Sequence, residues 1–347
     1  MAMSDNTDML GELKRCQTLV EQRMLECLLA LKYQRPDKSR AENGQSGSFS
    51  DAAAKTPDAV ASITDVRGRH SSVSGSAADE DGSYELLLEA MKYSLFAGGK
   101  RIRPVICLKF CEAVCGDPMP ALDAACAIEM LHTYTLIHDD LPCMDDDDFR
   151  RGKPSNHAKY GEFVATLAGD ALQAAAFETL AKSKIPPGRV AAAVIALSEA
   201  AGAHGICAGQ YLDISGEGKN LSRTGVEKIH SLKTAALISA AAKIGVIAAG
   251  GLDGQVEAAG KYALAVGLAF QIRDDVLDIT ASKEELGKPI GSDKGNNKNT
   301  FFSILGAGEC ERIISSETEK AISSLRGEFA DTGFLVWLAQ MLAERKY

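Results

Sequence analysis

Six aspartates fall within ten positions in the run Asp139-Asp140-Leu141-Pro142-Cys143-Met144-Asp145-Asp146-Asp147-Asp148. Like charges within a helical turn repel, more strongly where water is partly excluded, so a cation is expected among them. A solvated acidic loop is the plainer alternative, and for aspartates alone it is the better one. Arg150, Arg151 and Lys153 follow at once, however. Groups that grip an anion then stand beside carboxylates suited to a hard metal such as Mg2+, and the chemistry this describes is binding of a diphosphate.

A continuous helix would point Asp145 well away from Asp139, because successive residues turn by about 100°. Pro142 has no amide hydrogen for the carbonyl of His138, so the helix is expected to break just after Asp140. That break would let Asp145 swing back to share an ion with Asp139. A second cluster, Gln271-Ile272-Arg273-Asp274-Asp275-Val276-Leu277-Asp278, differs in spacing. Asp274 and Asp278 are one helical step of four apart and Gln271 lies a turn earlier, so all three share an edge. Either cluster alone could be a solvated helix edge. Two of them, more than a hundred residues apart in one helical domain, can face each other across a bundle interior and hold several ions.

Cations gather in loop-like sequence elsewhere. Gly98-Gly99-Lys100-Arg101-Ile102-Arg103-Pro104 offers guanidinium groups able to bind phosphate oxygens in pairs. Lys233-Thr234 opens an alanine-rich segment, and Lys288 and Lys298 lie beyond the second cluster, where they could close over a bound anion. Each has a bland reading as a basic turn or snorkelling side chain.

The elements that must position these groups are helical. Apolar residues are 46% of the 347 and recur at three- and four-residue steps, so the fold is read as all-α. One stripe, Leu10-Leu13-Val20-Met24-Leu28-Leu31, places a first helix over about 9–32. Residues 36–82 are rich in Ser, Gly, Ala and Asp, too poor in apolar surface to offset the entropy of ordering. Order resumes at Ser83 with Tyr84, Leu87, Leu88, Met91 and Leu95, up to Gly98-Gly99. The division is thus residues 1–35 as a first helix, 36–82 as an insert, and 83–347 forming one domain with the first helix. A net charge of -9 disfavours nonspecific nucleic-acid binding. No membrane span is expected, and the acidic start lacks the pattern of a secretion signal. The odd number of cysteines, nine, argues for free thiols and, with the rest, a cytoplasmic location. Cys107, Cys111 and Cys115 share a helical face but have no chelating partner in sequence, so they read as small core residues.

The ordered motifs Gly98 to Pro104, Asp139 to Asp145, Arg150-Arg151-Gly152-Lys153-Pro154, Gly169-Asp170, Gly209-Gln210, Lys233-Thr234 and Phe270-Gln271 closely resemble the trans-isoprenyl diphosphate synthases from Ser83 to the C-terminus. The resemblance implies a bundle of roughly ten or more helices around a deep cavity, assembled as a homodimer and requiring Mg2+, three ions when substrate is bound. It assigns Lys100, Arg103, His132 and Arg151 to isopentenyl diphosphate. Arg150, Lys233, Thr234, Gln271, Lys288 and Lys298 fall to the allylic diphosphate (dimethylallyl or geranyl), with Lys233, Thr234 and Gln271 assisting the chemistry. Asp139, Asp145 and Asp274 match the metal ligands. Phe301-Phe302 and the insert depart from the usual pattern without touching a motif ligand.

The implied reaction ionises the allylic diphosphate, lets the double bond of isopentenyl diphosphate attack the cation, and loses a proton to the departing diphosphate. Chain length is expected to depend on Tyr134 and its neighbour Thr135. Tyr134 lies five residues before Asp139, about 7.5 Å along the helix, and would form the floor of the hydrocarbon pocket. In the family an aromatic residue there, with the longer first motif, accompanies a farnesyl product; geranyl and geranylgeranyl products are the alternatives. A terpene cyclase would need only one diphosphate site, whereas Lys100, Arg103 and Arg151 supply a second. A silent partner subunit could have lost its ligands, and both clusters here are complete.

Overall fold

The computed structural model describes residues 3–33, 84–280 and 300–345. The insert read at 36–82, Lys288 and Lys298 lie outside the described residues, and so does the side chain of Asp278. What is described is a helical bundle. Helices α1 (Met3–Tyr33), α2 (Glu85–Leu95), α3 (Ile102–Cys115) and α4 (Leu122–Asp139) come first. They are followed by α5 (Asn156–Tyr160), α6 (Glu162–Ala181), α7 (Pro187–Ala201), α8 (Ile206–Gly216) and α9 (Arg223–His230). A π-helical turn, Ser231–Ala235, joins α9 to α10 (Ala236–Ala249), and α11 (Asp253–Thr280), α12 (Phe301–Leu305), α13 (Ala307–Ser324) and α14 (Gly333–Glu344) complete it.

Helix α4 is the axis. It is buried on nearly every side, from Leu122 through Ala127 to Ile137, as expected of a helix apolar all round. Helices α1, α3, α6 and α10 pack against it, while α11 packs on α10 and α13. Helix α1 begins earlier than its apolar stripe suggested. It docks through Cys16, Val20, Met24 and Leu28, and Leu10 is left outside at 48% exposure. Burying side chains of this size is worth about 1.5–3 kcal/mol each, which fixes the first helix to the body. Helix α2 stops at Leu95, three residues short of the glycine pair.

At the other end of the bundle Phe110 packs edge-on between Tyr262 and Phe329, at 5.3 and 5.4 Å between ring centres. The Tyr262 hydroxyl donates to the carbonyl of Leu335 at 2.7 Å and so ties α11 to α14. The Trp337 indole N–H of α14 donates to the Asn6 side chain at 2.8 Å, joining the two ends of the chain. Among the described residues the sheet content is one hairpin, Phe149–Arg150 with Lys153–Pro154. Its two turn residues, Arg151 and Gly152, both have positive φ, 54° and 73°, the requirement of a tight two-residue turn.

Two stretches, Pro187–Gly216 and Arg223–Ala249, are long and apolar enough to cross a bilayer by composition. The first is two helices with a break between them, and 61% of the apolar window in the second is buried inside the bundle. Core packing accounts for the composition of the second; in the first, 33% of the apolar window is buried. All nine cysteines are free, with Cys107 and Cys111 in the core.

Candidate functional site

The first carboxylate cluster begins where α4 ends. Asp139 is the last helical residue and Asp140 caps it, so the break falls where Pro142 requires. The chain then coils back: the amides of Met144 and Asp146 donate to the Leu141 carbonyl, and the amide of Asp145 donates to the Asp139 carbonyl at 2.9 Å. Asp145 therefore returns beside Asp139.

The two adjacent aspartates part company. Asp140 is 2% exposed and is gripped by the Arg150 guanidinium, whose Nε donates at 2.9 Å. Asp139 instead faces a cavity of about 570 Å³. Burial pushes its carboxyl up to about 6; Asp145 and Asp140 push the same way, and the positive charges of Lys233 and Arg150 oppose them.

The second cluster repeats the division. Asp274 faces the same cavity. Asp275 is buried and structural: it accepts the Phe301 amide at 2.9 Å and the Gln271 side-chain amide at 3.3 Å. The Phe301-Phe302 departure from the family pattern thus starts α12, whose first turn is held by a Thr300–Ser303 capping box. Gln271 also accepts from Thr234 at 3.2 Å. Lys233, on the π-helical turn, is paired with Asp213 of α8 at 2.7 Å. Such turns recur at functional sites because they re-aim side chains within a helix. The close fit here needs Gly209, where a Cβ would lie 2.3 Å from the Lys233 backbone nitrogen.

Cations line the same cavity. Arg103 Nη1 lies 3.2 Å from His132 Nε2, an arrangement in which the guanidinium donates and the imidazole accepts. Burial first, then Arg103, holds His132 well below its ordinary range, so it is neutral. Burial likewise lowers Arg103 to about 10. Lys100 lines the cavity too, its pKa lowered by burial and by Arg345, as does Arg151, which donates to the Gly98 carbonyl. Gly99, at φ 123°, has no side chain where the Arg151 guanidinium passes; a Cβ there would come within 2.8 Å. Arg101 of the same motif serves the fold instead. It is 1% exposed in its side chain and spends its donors on Glu129, Glu21 and the Leu95 carbonyl.

The cavity therefore brings together Lys100, Arg103, His132, Thr135, Asp139, Arg150, Arg151, Lys233, Thr234, Gln271 and Asp274. Tyr134 does not line it. Tyr134 borders a second cavity of about 490 Å³ with Cys207, Tyr211 and Met144; Thr135, Asp139 and Ile206 are common to both. The Tyr134 hydroxyl is 3.8 Å from Cys207 Sγ. Sequence reasoning missed Asp213, the partner of Lys233, and Arg345, which enters the cavity from the end of the chain and pairs with Asp274. A lone carboxylate and an arginine just past the last helix carry no pattern that could have marked them.

Among the described residues no three His, Cys, Asp or Glu side chains converge to hold an ion by themselves. Mg2+ keeps several waters and takes one or two carboxylates plus substrate phosphates. The donor set, half-buried Asp139 and Asp274 lining one cavity, fits such an ion.

A family model, polyprenyl synthetase, matches residues 84–328. The large subunit 1 of a heterodimeric, chloroplastic geranylgeranyl pyrophosphate synthase of Arabidopsis thaliana is 48% identical over 266 residues, 74% of this chain and 72% of that protein. A chloroplastic geranylgeranyl pyrophosphate synthase of Capsicum annuum is 46% identical, over 74% and 71%. Among solved structures, the geranylgeranyl pyrophosphate synthetase of Pyrococcus horikoshii Ot3 superposes with TM-score 0.76 at 29% identity, covering 98% of this chain and 99% of that one. An FPP/GFPP synthase of Zymomonas mobilis gives 0.66 at 35%, covering 74% and 88%. The chloroplastic relatives overturn the expectation of a cytoplasmic location: free thiols and a negative charge do not distinguish one reducing compartment from another. With the motifs, the helical cavity and these likenesses in agreement, the chain belongs to the polyprenyl synthetase family, the trans-isoprenyl diphosphate synthases, and is a prenyltransferase.

Proposed function

We propose that this chain condenses isopentenyl diphosphate head-to-tail with allylic diphosphates, with Mg2+, and releases geranylgeranyl diphosphate in a plastid. The observation that carries the reaction is one cavity lined both by carboxylates, Asp139 and Asp274, and by the cations Lys100, Arg103 and Arg151. Two anionic substrates need both kinds of group, carboxylates to hold metal ions and cations to hold phosphate oxygens. Magnesium, when bound, neutralises the charge that develops on the departing diphosphate.

The residues do the rest. Lys233 and Gln271, held by Asp213 and Thr234, border the space for the allylic group. Neutral His132 and Arg103 orient the second diphosphate. The apolar wall of Ile206, Leu237, Ile238 and Val266 excludes water from the cation. Assays with each allylic diphosphate, with and without EDTA, test this: turnover that survives removal of divalent ions sinks the magnesium assignment.

Support for a C20 product comes from relatives named geranylgeranyl pyrophosphate synthases, 46–48% identical over three quarters of the chain. Tyr134 favours a second reading, a farnesyl product, because it stands at the wall of the second cavity with its hydroxyl 3.8 Å from Cys207 Sγ. Product sizing separates them. Elongation of farnesyl diphosphate supports C20; arrest at C15 that Tyr134→Ala relieves supports the tyrosine as floor. A homodimer is the proposed assembly, with the exposed Phe163 and Leu167 of α6 as an apolar face for it; light scattering at the mass of one chain would refute it.

A further inference from the structure

Arg345, one residue past α14, reaches into the central cavity from the end of the described chain. Its Nη2 pairs with Asp274 and also donates to the Phe270 carbonyl at 3.3 Å, and its guanidinium lies 4.0 Å from the centre of the Phe270 ring. The Arg345 side chain is 9% exposed, and its Nε is buried with no hydrogen-bond partner. A guanidinium has five donors, and leaving a buried one unmatched is costly. The pose is therefore one from which a better acceptor can draw the group away.

Asp274 is also the carboxylate that the proposed function gives to a metal ion. An oxygen engaged by a guanidinium cannot give the same lone pair to an ion, and two cations at one carboxylate repel. We propose that Arg345 is a resident cation of Asp274: it holds that carboxylate before the ion arrives, is displaced when the ion binds, and turns its donors to the diphosphate that comes with it. The Phe270 ring is the pivot, since a stacked guanidinium can rotate in its plane without leaving the aromatic face. Lys100 and Arg103 line the same cavity, so the released charge joins a wall already suited to an anion.

The inference rests on the reading of Asp274 as a metal ligand, and the experiment separates the two. Mn2+ binding to the full chain is followed by the loss of the free-ion EPR signal, first without and then with inorganic diphosphate. Arg345→Gln is expected to bind Mn2+ alone at least fivefold more tightly than the wild type, and the double variant with Asp274→Asn to lose that gain. With Mn2+ saturating, Arg345→Gln is expected to bind inorganic diphosphate at least fivefold more weakly. Arg345→Lys keeps the charge and the stem, so it should behave as the wild type; equal shifts in both variants would mean altered packing and would overturn the proposal. Unchanged Mn2+ affinity in Arg345→Gln, with normal binding by the wild type, overturns the resident cation alone. A wild type that takes up no Mn2+ even with diphosphate present removes the metal reading and this inference with it.

Discussion

The two aspartate pairs, Asp139-Asp140 at the end of α4 and Asp274-Asp275 within α11, are alike in composition and opposite in construction. In each, one member faces the cavity and its neighbour is buried in structural bonds. The first pair sits at a helix break, and its structural partner is a side chain, Arg150, on a hairpin. The second sits inside a helix, and its structural member holds a backbone amide, that of Phe301, which starts the next element. Adjacent residues on a helix point about 100° apart, so a doubled aspartate supplies one ligand and one strut. The first strut positions a cation of the site; the second positions a piece of the fold.

That contrast can be broken by substitution. Asp139→Asn should reduce turnover by about a thousandfold, the scale of losing charge stabilisation in a closed site, while thermal unfolding stays near that of the parent. Loss of the fold in this variant would erase the distinction between ligand and strut. Asp275→Ala should do the reverse in emphasis: with the Phe301 amide and the Gln271 side chain left without an acceptor, about 2–3 kcal/mol of stability should vanish in urea unfolding. If it unfolds like the wild type, Asp275 is not a strut.

Gly209→Ala tests how tightly the Lys233 turn is seated between the two clusters. A Cβ 2.3 Å from backbone has to push α8 off the π-helical turn, at a cost of about 1–3 kcal/mol, read by denaturation. The smallest effect concerns His230, which stacks on Phe301 at 5.2 Å beside the second strut. Burial lowers its pKa to about 4. The unfolded chain, with a histidine near 6.5, takes the proton first, so stability falls as pH drops from about 6.5 toward 4. The loss from this residue at pH 5.5 should be about 1.4 kcal/mol, and His230→Phe should remove it from the pH profile.

Much of this was legible beforehand. Pro142 located the helix break and the return of Asp145, because a missing amide hydrogen is a local fact. The spacing of Gln271 and Asp274 placed both on one helical edge, and the all-α bundle followed from apolar periodicity. What stayed hidden depends on distant partners. Arg101 reads as a third phosphate-binding cation until Glu129 and Glu21 are brought to it by α4 and α1. Arg150 reads as a free cation until Asp140 is seen to hold it. Asp213 and Arg345 have no local signature at all. Lys288 and Lys298 lie outside the described residues, so their place at the cavity stands on the family resemblance.

The single indole of the molecule bridges the chain's beginning to its last helix through Asn6. Trimming α1 would therefore do more than shorten the protein: it would loosen the segment that delivers Arg345 to the catalytic chamber. An optical signal is built in, because the emission of Trp337 should redden whenever that clasp opens, with no label added.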